Sequence, residues 1–130
     1  MGHTFTKAER LTSKKTIEAL FNVGTSFAIS PLRVIWLENK LKTSHPVQVV
    51  VVVPKKNVPR AVDRNLIKRR LREAYRKNKD LLYDFLLKVG KQYALAIVFT
   101  GTKPVAYEEL EGKIILSLQR LVTENEEGNK

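Results

Sequence analysis

The sequence predicts one α+β domain, built around a central mixed sheet, whose elements follow the order αβββαβα. The chain has 130 residues, of which 43% are hydrophobic, and this suffices for one buried core. Its apolar residues recur at spacings of three and four in some segments and at near-alternate positions in others, as in helices and strands respectively. No internal repeat or interdomain linker is evident, so we expect a single layered domain.

A short first helix is predicted over residues 14–21. Thr12 or Ser13 can cap its N-terminus, and Gly24 follows its end. Its apolar residues share one face: Ile17, Leu20 and Phe21.

Three strands are predicted next. Residues 26–29 and 32–38 are β-prone segments divided by Ser30-Pro31, which favours an antiparallel pair. Residues 47–53 are nearly all valine, a β-branched run that is typical of a central buried strand.

The second half of the chain predicts helix, strand and helix. Asn57 can cap a long helix with Pro59 in its first turn, and this helix should reach at least Arg76. Residues 93–100 form an apolar strand, and residues 107–122 carry leucine and isoleucine at helical spacing.

The expected domain covers residues 1–123. Residues 124–130 are acidic and contain Gly and Asn, so we expect a disordered C-terminal tail.

The positive charge of the chain is concentrated in one segment. The net charge is +11 and the pI is near 10.0. Residues 55–79 contain eleven Lys or Arg against two acidic residues, whereas the rest of the chain is nearly neutral. The usual partner of such a charge is a polyanion, and nucleic acid is the commonest one.

The second helix separates its apolar and cationic residues. On a helical projection, Ile67, Leu71, Ala74 and Asn78 share a narrow side with Tyr75 at its edge. A sector on the opposite side holds Asn65, Lys68, Arg69, Arg72 and Arg76. Like charges at i and i+4 cost helix stability, so a bound polyanion explains the pattern better than a merely solvated helix does.

Other classes of function find little support in the sequence. The absence of cysteine excludes disulfides and thiolate metal sites, and the longest apolar run, residues 49–54, is too short to span a bilayer. We therefore expect a cytoplasmic protein.

His3 and His45 stand alone, and no carboxylates form the converging set that a metal-dependent protein nuclease needs. Trp36 is assigned to the core.

Residues 55–73, with the sequence KKNVPRAVDRNLIKRRLRE, resemble the signature of the bacterial ribonuclease P protein family. The segment FTKAERL at residues 5–11 is similar to the start of these proteins. The resemblance implies an αβββαβα sandwich with a left-handed βαβ crossover, against the usual right-handed rule. It also implies the protein subunit of a ribonucleoprotein that removes the 5′ leader from precursor tRNA.

The resemblance implies two sets of site residues. The second helix and the segment before it would contact the catalytic RNA and nearby substrate. These RNA-binding candidates are Lys55, Lys56, Arg60, Arg64, Asn65, Lys68, Arg69, Arg72 and Arg76. A cleft beside the first helix would hold the single-stranded leader against Ile17, Phe21 and an exposed residue of the second strand, Ile35.

Two features depart from the family pattern: the residue after the Arg-Asn pair, and the cleft if Ile17 and Ile35 line it. Leu66 stands where members commonly carry a second Arg after the Arg-Asn pair, although Arg70 adds a charge one turn later. The cleft is also less aromatic than usual, and for Phe21 a place in the core is as plausible as a place in the cleft.

The resemblance further implies that no catalytic residue lies in the protein. Mg²⁺ and the hydrolytic centre would belong to the RNA subunit and substrate, no organic cofactor is expected, and the free protein should be monomeric. The main alternative is a structural RNA-binding protein such as a ribosomal component, which would need no leader cleft. A DNA-binding module is disfavoured, because no helix-turn-helix spacing precedes the basic helix.

Overall fold

The structure, a computed structural model, describes residues 5–128 of the chain and the side chains of residues 5–126. A short 3-10 turn, Lys7–Glu9, precedes the first helix. The helices are α1 Lys14–Val23, α2 Ala61–Asn78, α3 Asp80–Val89 and α4 Tyr107–Gly128. The strands are β1 Thr25–Ile29, β2 Leu32–Glu38, β3 Val47–Val52 and β4 Tyr93–Phe99.

The four strands form one mixed sheet in the order β1-β2-β4-β3. The pairs β1–β2 and β2–β4 are antiparallel, and β3–β4 is parallel across the crossover through α2 and α3. The inner strands are therefore β2 and β4, and β3 lies at an edge of the sheet, so the expectation that the valine strand β3 is central was wrong. The segment before α1 covers the outer edge of β3 instead, where Arg10 pairs with Val49 and the Leu11 N–H donates to the Val49 carbonyl at 2.9 Å.

The sheet separates two hydrophobic clusters. The larger cluster joins α2, α3 and α4 to the face that carries Trp36, Val49 and Leu95. Trp36 is buried beside Phe27, with ring centroids 5.8 Å apart, which confirms its assignment to the core. The smaller cluster joins α1 to the opposite face of the sheet through Leu20.

Two helices, rather than one, connect β3 to β4. The sequence predicted α2 but not α3, and the break between them falls at Lys79. Lys79 keeps helical dihedral angles, while the Asn78 side chain donates to the Ala74 carbonyl at 2.8 Å. The Lys79 side chain is buried in an ion pair with Glu9, which ties this junction to the N-terminal turn.

The last helix, α4, continues to Gly128, past residue 124, where the sequence predicts that the tail begins. Two polar side chains near its end have partners, one on the same helix and one on β4. Glu124 pairs with Arg120 at 3.1 Å, and Asn125 accepts a hydrogen bond from the Tyr93 hydroxyl at 2.5 Å. Residues 129–130 of the expected tail lie outside the described residues.

Within residues 5–128, none of the helices combines the length and the apolarity that crossing a bilayer requires.

Candidate nucleic-acid interface

A separate turn precedes α2 and sets where the helix begins. The N–H groups of Asn57 and Val58 both donate to the Pro54 carbonyl at 3.0 Å, and Val58 is buried. The helix therefore begins at Ala61 with Arg60 as its N-cap. The predictions that Asn57 caps the helix and that Pro59 lies in its first turn were wrong, because Asn57 belongs to this earlier turn.

Arg64 fastens that turn to the helix. Its guanidinium donates to the Val58 carbonyl at 3.0 Å and to the Pro59 carbonyl at 2.6 Å. These contacts hold the segment that carries Lys55 and Lys56, both of which are exposed. Arg64 thus has a structural role besides any contact with RNA.

The predicted apolar side of α2 is confirmed. Ile67, Leu71, Ala74 and Tyr75 are completely buried. Asn78, at the end of this side, is half-buried and donates to Glu111 on α4 at 3.0 Å. Because this side is fixed against the sheet and α4, the orientation of the opposite side is fixed as well.

The opposite side carries the candidate cations. Asn65, Arg69 and Arg72 are exposed and Lys68 is half-buried. Among the described side chains, no carboxylate lies within ion-pair distance of Lys68, Arg69 or Arg72. We call Asn65, Lys68, Arg69 and Arg72 the cationic face.

Three other arginines of this region are engaged within the protein. Arg76 makes a two-fold contact with Glu73, at 2.7 and 2.9 Å, and this hydrogen bonding lowers the pKa of Glu73. Exposed Arg60 lies 3.8 Å from Asp63.

The third is Arg70, which donates to the Val105 carbonyl at 2.7 Å, ahead of α4. It therefore does not simply restore the charge absent at Leu66.

The predicted leader-cleft residues occupy three different environments. Phe21 is 46% exposed, which excludes the alternative that it belongs to the core. Ile17 is half-buried against the smaller cluster. Ile35 is only 7% exposed, so the expectation of an exposed side chain was wrong. The close approach of Gly24 explains this, since a Cβ at Gly24 would lie 2.8 Å from Ile35 Cγ2.

A more open row of residues crosses the same sheet face and was missed in the sequence. The strand registers place Arg33 opposite Val98, and Val98 opposite Val52. Arg33 is exposed, and the two valines are half-buried. Strand alternation from Ile35 could have located Arg33, but the neighbours on β3 and β4 depend on a register that the sequence does not reveal.

No group of three or more His, Asp or Glu side chains among the described side chains of residues 5–126 is arranged to hold a metal ion. His45 lies in the loop before β3, and His3 lies outside the described residues.

A helix that buries one side and displays exposed, unpaired cations on the other, on an α+β scaffold, defines a nucleic-acid-binding protein. A family model described as Ribonuclease P matches residues 5–121. The chain belongs to the ribonuclease P protein family. It is thus a protein subunit of ribonuclease P, whose role is to process the 5′ leader of precursor tRNA.

Named relatives agree with this assignment. The chain is 44% identical over 118 residues to the ribonuclease P protein component of Porphyromonas gingivalis strain W83, covering 88% of this chain and 84% of the relative. It is 28% identical over 123 residues to the ribonuclease P protein component of Petrotoga mobilis, covering 92% of this chain and 97% of the relative.

Solved structures confirm the fold class. The ribonuclease P protein from Thermotoga maritima superposes with a TM-score of 0.69 at 22% identity, covering 86% of this chain and 96% of that one. The ribonuclease P protein from Staphylococcus aureus superposes with a TM-score of 0.67 at 21% identity, covering 86% of this chain and 95% of that one.

Proposed function

We propose that the chain binds the catalytic RNA of ribonuclease P through the cationic face, and the precursor tRNA leader through a cleft on the α1 side of the sheet. The observation that carries the proposal is a set of three cations on a helix whose other side is buried: exposed Arg69 and Arg72 and half-buried Lys68, none of which pairs with a carboxylate among the described side chains. Because α2 covers one face of the sheet and α1 the other, the two surfaces can be occupied together.

The cationic face acts by charge and position. Guanidinium groups match phosphate oxygens with two parallel hydrogen bonds, and each phosphate contact releases condensed counterions. Asn65 adds a neutral donor and acceptor for a sugar or base. Neutralising phosphate repulsion in this way strengthens the binding of substrate and of Mg²⁺ by the RNA.

The hydrolytic centre belongs to the RNA in this proposal. The side chains of the cationic face are those of asparagine, lysine and arginine, and they include no carboxylate or imidazole that could act as a general base. Mg²⁺ is held mainly by the RNA subunit and the substrate. The protein is monomeric when free and acts in the cytoplasm.

Phe21 provides the surface on which leader bases stack. Its ring is exposed on α1, beside half-buried Ile17, and the row of Arg33, Val98 and Val52 lies on the sheet face that α1 partly covers. Aromatic stacking accepts any base, which suits leaders of varied sequence.

The leader proposal is tested by binding precursor and mature tRNA to the reconstituted ribonucleoprotein. Phe21→Ala should lower the preference for precursor by roughly fivefold or more, since stacking contributes about 1–3 kcal/mol per base. Val23→Ala is the matched control, because Val23 lies on the same helix and is 69% exposed. An unchanged preference in Phe21→Ala would show that α1 does not contact the leader.

A further inference from the structure

A groove of about 730 Å³ lies between the segment before α1, the helix α2 and the start of α4. Its walls include Phe5, Arg10, Arg69, Arg72 and Tyr107, and we call it the arginine–aromatic groove. Its volume lies within the range of small-molecule binding sites, about 300–1,000 Å³. The family resemblance includes Phe5 and Arg10 in the segment at residues 5–11 but implied no role for them, and the sequence did not single out Tyr107.

The groove is electropositive because the carboxylate on its wall is already paired with an arginine of the same helix and does not offset the charge of the other arginines. Glu73 lies on the wall, but both of its oxygens accept hydrogen bonds from Arg76. Among the described side chains, no carboxylate pairs with Arg69 or Arg72. Arg10 lies over the Phe5 ring, 5.3 Å from its centroid, so an aromatic ring rather than a carboxylate positions this cation.

The two aromatic rings are held in place by their neighbours. Phe5 is half-buried and packs edge-on against the completely buried Tyr75, with centroids 5.7 Å apart. Tyr107 is half-buried, its hydroxyl lies 3.3 Å from the Glu111 carboxylate, and Lys77 lies 5.5 Å from its ring centroid. A half-buried ring fixed in this way offers a flat surface at little entropic cost.

We propose that the arginine–aromatic groove binds one unpaired nucleotide of RNA, with its base against Phe5 or Tyr107 and its phosphate at Arg69 and Arg72. The proposal rests on the proposed function and adds a base-binding site to the cationic face. Duplex RNA presents phosphates outward but keeps its bases stacked, so it would leave the aromatic wall unused. An unpaired nucleotide uses both the cations and the rings.

The nucleotide comes from one of two sources, the catalytic RNA or the leader. The N-terminal segment pairs with the outer edge of β3 and lines the groove on the side of α2 and α4, whereas the proposed leader cleft lies on the α1 side of the sheet. We therefore expect a nucleotide of the catalytic RNA.

Measuring the affinity for the catalytic RNA at several salt concentrations distinguishes the contribution of base stacking from that of phosphate contacts. Tyr107→Leu should weaken binding of the catalytic RNA roughly tenfold without changing the slope of log K against log salt, because stacking releases no counterions. Arg72→Ala should weaken binding and lower the slope by about one. Phe85→Leu is the control, since Phe85 is a half-buried aromatic on α3, outside the groove. Phe5→Leu repeats the test at the second ring, and circular dichroism establishes that each variant is folded.

Crosslinking identifies the nucleotide. The chain has no cysteine, so Ala106→Cys, beside Tyr107, accepts a single photoreactive azidophenacyl group. We expect a crosslink to one unpaired nucleotide of the catalytic RNA in the absence of precursor tRNA. A crosslink that requires precursor and falls in the leader would support the nucleotide site and assign it to the substrate. Leu87→Cys on α3 is the control, because this exposed residue lies outside the groove and the cationic face.

One further variant distinguishes an error in the proposed nucleotide site from an error in the proposed RNA-binding role. Lys68 lies on the cationic face but not in the groove. If Lys68→Ala weakens RNA binding while Tyr107→Leu and Phe5→Leu bind like wild type, the nucleotide site is wrong and the RNA-binding role stands. If Lys68→Ala has no effect either, the proposed role of the cationic face is wrong.

Discussion

At the scale of single residues, the buried carboxylate of Glu9 connects the N-terminal segment to the junction between α2 and α3. Glu9 is 1% exposed and accepts hydrogen bonds from Lys79 Nζ at 2.5 Å and from the Tyr83 hydroxyl at 2.6 Å. The Thr6 N–H donates to its other oxygen at 3.0 Å. Burial favours the neutral carboxyl group, but these donors outweigh it and hold the pKa of Glu9 at about 2.

Replacing this carboxylate should destabilise the fold. Glu9→Gln removes the charge of the carboxylate that pairs with the buried Lys79 ammonium, and breaking a buried pair in this way costs about 3–5 kcal/mol. Urea denaturation at pH 7 measures the loss in the free energy of unfolding. Glu18→Gln, on the exposed side of α1, should change it by less than about 0.5 kcal/mol.

The same group makes stability depend on pH. Because folding lowers the pKa of Glu9 from 4.5 to about 2, its stabilisation is complete above about pH 4.5 and is lost as the pH falls toward 2. The difference in stability between wild type and Glu9→Gln should therefore shrink by about 3 kcal/mol over that range. A difference that stays constant with pH would show that folding does not lower the pKa of Glu9.

At the scale of elements, α2 works through the contrast between its two sides. Its buried side fixes the helix, and its cationic face then presents several cations in one direction. Lys68→Ala and Arg72→Ala should each lower the salt slope of RNA binding by about one, and the double variant by about two. Lys88→Ala removes an exposed charge from α3 and should leave the slope unchanged. Equal slopes in all variants would mean that another surface contacts the phosphates.

The packing of helix α1 against β2 depends on Gly24, where the chain passes too close to β2 for a larger side chain. A Cβ there would overlap the Leu20 carbonyl oxygen and lie 2.8 Å from Ile35 Cγ2, although φ at Gly24 is an ordinary −69°. Gly24→Ala should therefore lower the free energy of unfolding by about 1–3 kcal/mol.

Gly112 in α4 provides the matched comparison. A Cβ there meets no atom within 4 Å, so Gly112→Ala should raise stability by about 0.5–1 kcal/mol. Chemical denaturation of both variants tests the pair, and a stable Gly24→Ala protein would show that α1 can move away from β2.

Local periodicity predicted α2 and its two sides, because the 3.6-residue repeat is a property of the helix itself. The break at Lys79 could not be predicted, since the partner of Lys79 is Glu9, 70 residues earlier. The burial of Ile35 likewise depends on α1 packing over it, and the edge position of β3 depends on strand pairing. These three features come from contacts between distant segments.

At the scale of the whole molecule, the sheet separates two surfaces with different chemistry. The cationic face and the arginine–aromatic groove lie with α2 and α4, whereas exposed Phe21 and the half-buried valines lie with α1. One small domain can therefore contact a folded RNA and a single-stranded leader together. This arrangement suits a protein that positions a substrate on a catalytic RNA.

The central claim is that the protein enables an RNA to cleave and does not cleave alone. The direct test measures formation of the mature 5′ end from labelled precursor tRNA at low Mg²⁺, with bacterial ribonuclease P RNA, with protein, and with both. We predict cleavage at the correct junction only when both are present, and weaker stimulation by the Lys68→Ala, Arg72→Ala double variant. Cleavage by rigorously RNA-free protein would contradict the claim. Tight RNA binding without stimulation, across more than one RNA subtype, would also contradict it and would indicate a structural RNA-binding protein.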